Sequence, residues 1–144
     1  MKKYNAIKYA WSMIGKPYIW GGDDPMKGFD CSGFIIEILK SVGILPEKGD
    51  WTAQALYNLF NGNYKTVVTG GSLAFYGKSE KKITHIMFCI DYQHCIGSTG
   101  GGSKTKTIQD AIDQNAFIKM RPINYRNDLI GFINPFSQIR WWNK

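Results

Sequence analysis

Cysteine and histidine are the residue types in this chain best suited to nucleophilic chemistry, because a thiolate attacks carbonyl carbon while an imidazole takes and returns the proton. The chain carries Cys31, Cys89 and Cys95 and two histidines, His85 and His94. Cys31 follows Asp30 and precedes Phe34, Ile35, Ile38, Leu39 and Val42, whose spacing of three and four predicts a helix that Gly43 ends. Asp30 is then the N-cap, and Cys31 stands in the first turn, where the positive end of the helix dipole favours thiolate over thiol. The Asp30 carboxylate opposes that effect, so a second activator is required. His85 opens His85-Ile86-Met87-Phe88-Cys89-Ile90, a strand whose alternation sends Ile86, Phe88 and Ile90 to one face and His85 and Met87 to the other. With the aliphatic face on the helices, the imidazole would lie at the sheet edge, free to act.

The elements that must position this pair follow from the hydrophobic period. Ile7, Ala10, Trp11 and Ile14 mark a first amphipathic helix, closed by Gly15-Lys16-Pro17. The stretch from Tyr18 to Asp30, with Gly21, Gly22, Pro25 and Gly28, is dense enough in turn formers to exclude a regular element. A third helix is expected from Thr52 to Phe60 with Leu56, Leu59 and Phe60 buried. After Gly62 the period shortens, predicting strands at Thr66–Val68, Leu73–Tyr76, His85–Ile90, His94–Ser98, Phe117–Arg121 and Leu129–Ile133. One more helix, capped by Thr107, is expected between Ile108 and Asn115. Helices first and strands second predict an α+β domain, N-terminal helices packed on a C-terminal antiparallel sheet.

At 144 residues the chain is expected to form one domain, 1–144. Its net charge of +7 favours an anionic partner such as nucleic acid, a membrane surface or a bacterial cell wall, and charge alone does not choose among these. No basic run exceeds two residues, which argues against a nucleic-acid binder. No stretch approaches the roughly 18 apolar residues of a membrane span, and Lys8 interrupts the run after Met1-Lys2-Lys3, so neither membrane insertion nor an export signal is expected. The odd cysteine count suggests free thiols in a reducing compartment. Two competing sites fail on spacing. Ser103 separates the glycines of Gly97–Gly102 from Lys104, unlike a phosphate loop. Cys89 and Cys95 with His85 and His94 lack the spacing of a zinc site, so no metal and no cofactor is expected. Trp141-Trp142 could dock a sugar or partner, or pack on the domain.

Four segments in order, Pro17-Tyr18-Ile19-Trp20-Gly21-Gly22, Phe29-Asp30-Cys31-Ser32-Gly33-Phe34, Gly71-Ser72-Leu73-Ala74-Phe75-Tyr76 and Thr84-His85-Ile86, resemble the NlpC/P60 family of papain-like cysteine peptidases. The resemblance implies Cys31 as nucleophile and His85 as general base and acid. Tyr18 and the Cys31 N–H would serve the oxyanion, while Asp30, Ser32 and Trp20 would contact substrate. It also implies cleavage of peptidoglycan stem peptides, typically beside D-glutamate. The family's third triad member, most often His, falls on Gly97 in Cys95-Ile96-Gly97-Ser98, which leaves that slot vacant. His94 lies on the other face by alternation, and Asp91 is six residues from His85 along one strand, so neither is a good orienter. A side chain placed by Gly97→His is then expected to raise kcat. With no export signal, the chain would reach the wall by phage release, in a virion or through a secretion apparatus. The alternative reading is a catalytically impaired binding or structural module, such as a phage tail component contacting other virion tail proteins.

Overall fold

The computed structural model describes residues 1–45, 51–60, 64–65 and 68–136. The first helix, α1 (Lys2–Ser12), buries Ala6 and Ala10. It is turned differently from the sequence expectation: Trp11 is exposed, as is Ile14 beyond the helix, and Met13 is buried in their stead. The small, fully buried alanines let α1 approach the core closely. The glycine-rich stretch is not wholly irregular either. It folds back as a two-residue hairpin, β1 (Asp23–Asp24) against β2 (Gly28–Phe29), which a count of turn formers could not distinguish from open loop.

Helix α2 (Cys31–Ser41) starts where the sequence placed it, with Asp30 in extended conformation as N-cap and its side chain accepting from Gly33 N–H. Such a cap contributes about 1 kcal/mol. Helix α3 (Ala53–Phe60) buries Ala53, Leu56, Tyr57 and Phe60, leaving Leu59 only partly covered. Strands β3 (Tyr64–Lys65), β4 (Leu73–Gly77), β5 (Ile83–Cys89), β6 (His94–Thr99), β7 (Phe117–Pro122) and β8 (Leu129–Ile133) form one antiparallel sheet in the order β3-β8-β4-β5-β6-β7. Thr66 and Val67, most of one expected strand, and the pair Trp141-Trp142 lie outside the described residues. Helix α4 (Ile108–Gln114) carries a complete capping box, Thr107 with Asp110.

One face of the sheet packs on α1 to α3 through Phe34, Ile38, Leu56, Phe75, Ile86 and Phe88, all without solvent exposure. Each such side chain contributes about 1.5 to 3 kcal/mol by burial. The other face carries a smaller cluster of Ala74, Tyr76, Met87, Cys89, Cys95 and Ile123. This face is covered by the segment joining β7 to β8: Ile123 N–H donates to the Gln93 carbonyl, and Gly77 N–H donates to that of Asp128. The protein is therefore α+β, N-terminal helices against an antiparallel sheet.

Candidate active site

Cys31 is the first residue of α2 and is half-buried. The start of that helix is braced from outside. Asp30 N–H donates to the Gly22 carbonyl at 3.1 Å, Asp30 Oδ1 accepts from Gly33 N–H at 2.7 Å, and Ser32 Oγ donates to the same oxygen at 3.3 Å. A Cβ on residue 33 would run into the carbonyl oxygen of Gly22, so only glycine lets the Trp20-Gly21-Gly22 turn lie against the helix. That contact gives a physical reason for the two motifs to occur together. Ser98 Oγ adds a bond to the Phe29 carbonyl at 2.6 Å, tying β6 to the residue before the cap.

The helix end does not produce a resting thiolate. Burial pushes the Cys31 thiol up to about 11, the Asp30 carboxylate pushes the same way, and backbone hydrogen bonding from Ile86, Ser32 and Cys31 itself only partly offsets them. Removing charge from water outweighs the dipole here. The helix-start N–H groups do favour thiolate and Asp30 does oppose it, as expected from the sequence, but burial is larger than either effect.

The Ile86 contact places the sulfur against β5, one residue from His85. It also explains a break in the sheet. The recorded pairing of β5 with β6 ends at Phe88↔Ile96, and the next amide that would bond across, that of Ile86, is directed to Cys31. The regular β5–β6 pairing therefore stops short of His85. His85 is not at the sheet edge, since β5 lies between β4 and β6 and the residue is 7% exposed. The free ring expected at a sheet edge is instead a buried one held by Tyr125. Burial, reinforced by the Arg126 guanidinium, lowers the His85 imidazole to about 3, with Asp128 acting weakly the other way. Among the described residues no hydrogen bond joins Cys31 Sγ to the ring. His85 Nε2 is instead 2.8 Å from Tyr125 Oη.

The space above Gly97 is filled. A Cβ there would meet the Met87 thioether sulfur and lie 3.0 Å from its Cε, because continuing the β5–β6 register sets Met87 opposite Gly97. His94 and Asp91 sit together in the β5–β6 hairpin, Nδ1 3.1 Å from Oδ1, both substantially exposed. His94 is five residues along β6 from Thr99, which the same register sets opposite His85; that is roughly 16 Å at about 3.3 Å per residue. Tyr18 is buried against Ala111 and Ala116, and its phenol is raised by burial first and then by Cys31 and Asp30. Trp20 is half exposed, its backbone N–H on the Thr105 carbonyl. Tyr125 and Thr99 were missed by sequence reasoning. Tyr125 lies forty residues from His85 in a connecting segment, and no local spacing points to it. Among the described residues no group of three His, Cys, Asp or Glu could hold a metal ion.

A cysteine heading a helix that packs on an antiparallel sheet, with histidine on the strand it touches, is the arrangement of papain-like cysteine peptidases. The sequence pattern described as the NlpC/P60 family matches residues 15–122, and the chain belongs to that family. It is 34% identical over 100 residues to the bifunctional muramidase/DL-endopeptidase CwlT of Bacillus subtilis, covering 67% of this chain and 28% of that protein. It is 39% identical over 54 residues to the murein DD-endopeptidase MepH of Escherichia coli, covering 38% of this chain and 19% of the relative. The chain thus spans less than a third of the curated relatives it matches. Among solved structures, an NlpC/P60 family protein from Bacillus cereus superposes with a TM-score of 0.70 at 23% identity, over 94% of this chain and 40% of that one. The NlpC/P60 domain of the peptidoglycan hydrolase SagA superposes with a TM-score of 0.66 at 23% identity, over 92% and 97%.

Proposed function

We propose that this protein is a cysteine peptidase that hydrolyses amide bonds in peptidoglycan stem peptides, next to D-glutamate. The observation that carries this reading is Cys31 at the braced start of α2, its sulfur against the amide of Ile86 beside His85, within the NlpC/P60 match. The resting pair is thiol and neutral imidazole, because burial raises one group and lowers the other. Attack therefore couples two events: His85 takes the thiol proton as sulfur bonds to the carbonyl carbon. The oxyanion that forms is placed to accept from the Cys31 N–H, with Tyr18 beside it. Collapse breaks the C–N bond, and His85 returns the proton to the departing amine. Water, deprotonated by the same ring, then releases the acyl group and regenerates the thiol. Asp30, Ser32 and Trp20 border this site and are its candidate substrate contacts. The +7 charge supports attraction to anionic wall polymers.

The third triad slot at Gly97, covered by Met87, favours one second reading, a family member of reduced turnover acting as a phage or prophage tail component. Mass analysis of products released from sacculi of several wall types decides between them. The peptidase reading expects soluble peptides cut at one bond, abolished by Cys31→Ala, and iodoacetamide labelling of Cys31 before the buried Cys89 and Cys95. Sacculi left intact, with binding retained in Cys31→Ala, would support the tail component.

A further inference from the structure

We propose, building on the peptidase reading, that Tyr125 is the positioning residue of His85, filling from the β7–β8 connection the role that Gly97 cannot fill from β6. Tyr125 Oη is the ring's hydrogen-bonding partner among the described residues, at 2.8 Å from Nε2. The groups that might otherwise hold the ring are engaged or distant. Met87 covers Gly97, Asp91 is bound to His94 in the far hairpin, and Asp128 is held by two bonds from Arg126, at 2.9 and 2.7 Å. Nε2 being occupied leaves Nδ1, without a hydrogen-bond partner among the described residues, for the Cys31 proton.

The direction of the bond matters. A ring that is to accept a proton at Nδ1 must carry its own proton on Nε2, so Tyr125 Oη must accept from Nε2–H and give its hydroxyl proton elsewhere. Thr99 Oγ1, at 3.3 Å from Tyr125 Oη in a contact that either hydroxyl could donate, is the acceptor the proposal assigns to that proton. The relay His85 Nε2–H to Tyr125 Oη–H to Thr99 Oγ1 selects the productive tautomer. Without Thr99, the phenol would donate to Nε2, the ring proton would move to Nδ1, and the nitrogen facing the nucleophile could no longer act as a base.

Tyr125 is itself held. Its ring meets Tyr76 edge-on at 5.7 Å, the Arg121 guanidinium lies 5.0 Å over its face, and Tyr76 Oη donates to the Ile123 carbonyl at 2.7 Å, pinning the connection. Besides Cys31, the charged and titratable groups facing His85 among the described residues are Arg126, Asp128, Tyr76 and Tyr125. None is a free carboxylate, so the relay orients the ring without strengthening it as a base. Tyr125 lies three residues beyond the family match.

The test is Tyr125→Phe and Thr99→Val in the full chain, read by kcat and KM on stem peptide and by long-range 1H–15N correlation of the His85 ring. Tyr125→Phe should lower kcat by at least about tenfold, up to the roughly 10⁴-fold loss seen when a triad loses its orienter, with KM within about twofold. The wild-type ring should be protonated on Nε2, Thr99→Val should shift it toward Nδ1, and Tyr125→His should recover part of the lost kcat. Unchanged kcat and ring signals in both variants would overturn the proposal, as would a wild-type ring protonated on Nδ1. If Tyr125→Phe fails to fold, Thr99→Val carries the test alone. If wild type turns over no peptide while the ring signals still shift with Thr99→Val, the relay stands and the peptidase reading falls.

Discussion

The two faces of the sheet are built on different principles. The helix-side face is a continuous apolar layer, Phe75, Ile86, Phe88 and Ile96 against Phe29, Phe34 and Ile38, in which every position repeats the same requirement for close packing. The opposite face mixes His85, two buried cysteines and Tyr76 with Met87, and it is closed by the connection around Ile123, Tyr125 and Asp128 rather than by a helix. Cys31 belongs to the first face and His85 to the second. Where the β5–β6 pairing stops at Phe88↔Ile96, the Ile86 amide next to His85 is directed to Cys31. The difference teaches that uniform apolar packing and polar groups are segregated here: one side holds the helix that Cys31 heads, and the other surrounds His85 with hydrogen-bonding groups.

Truncation on the helix side should have the largest effect on stability. Phe34→Ala removes a fully buried ring from the helix carrying Cys31, and is expected to cost about 3 to 5 kcal/mol in denaturant unfolding. A loss below about 1 kcal/mol would show that this face is not the closely packed one.

The second face should announce itself through pH. Unfolded His85 titrates near its ordinary 6.5 and folded His85 near about 3, so the unfolded chain binds the extra proton between those values. Stability contributed by the neutral buried ring is whole above pH 6.5 and drains away as pH falls toward 3. Asp91, Asp110 and Asp128, also held below the ordinary carboxylate value, lose their contributions only as pH falls below about 4. The interval from pH 6.5 to 4.5 therefore isolates the histidine. Urea midpoints over that interval should fall in the wild type and stay nearly level in His85→Gln. On the same grounds, kcat/KM should keep its value well below pH 6.5; an acid limb centred at 6.5 would contradict the buried, neutral ring.

Gly97→Ala probes the same face by volume. Its methyl must displace the Met87 thioether, a flexible side chain, and should cost about 1 to 3 kcal/mol. Gly97→His would need still more room, so no rise in kcat is expected from it, in contrast to the expectation from the sequence. A gain in turnover would mean that Met87 yields and the slot is usable. The smallest effect falls on the brace between the two faces: Asp30→Ala removes a cap and should cost about 1 kcal/mol. It should also speed iodoacetamide labelling of Cys31, since the carboxylate helps to keep the thiol protonated.

Local patterns in the sequence determined α2 with its Asp30 cap, α4 with its Thr107 cap, four of the strands nearly to the residue, and the placing of Cys31 at a helix start and His85 on a strand. Caps, periods and alternation depend on neighbours a few residues apart, so they can be read along the chain. The burial of Trp11 and Ile14 was misjudged because period alone does not say which arc of a helix meets the core. What only the tertiary structure decided are the long-range terms. These are the protonated state of Cys31, set by burial against β5, the filling of the Gly97 slot by Met87 across the sheet, and the arrival of Tyr125 at His85 from forty positions away. Each is a contact between segments that no local rule relates. Desolvation and packing act on whatever the fold brings within a few ångströms, irrespective of distance along the chain.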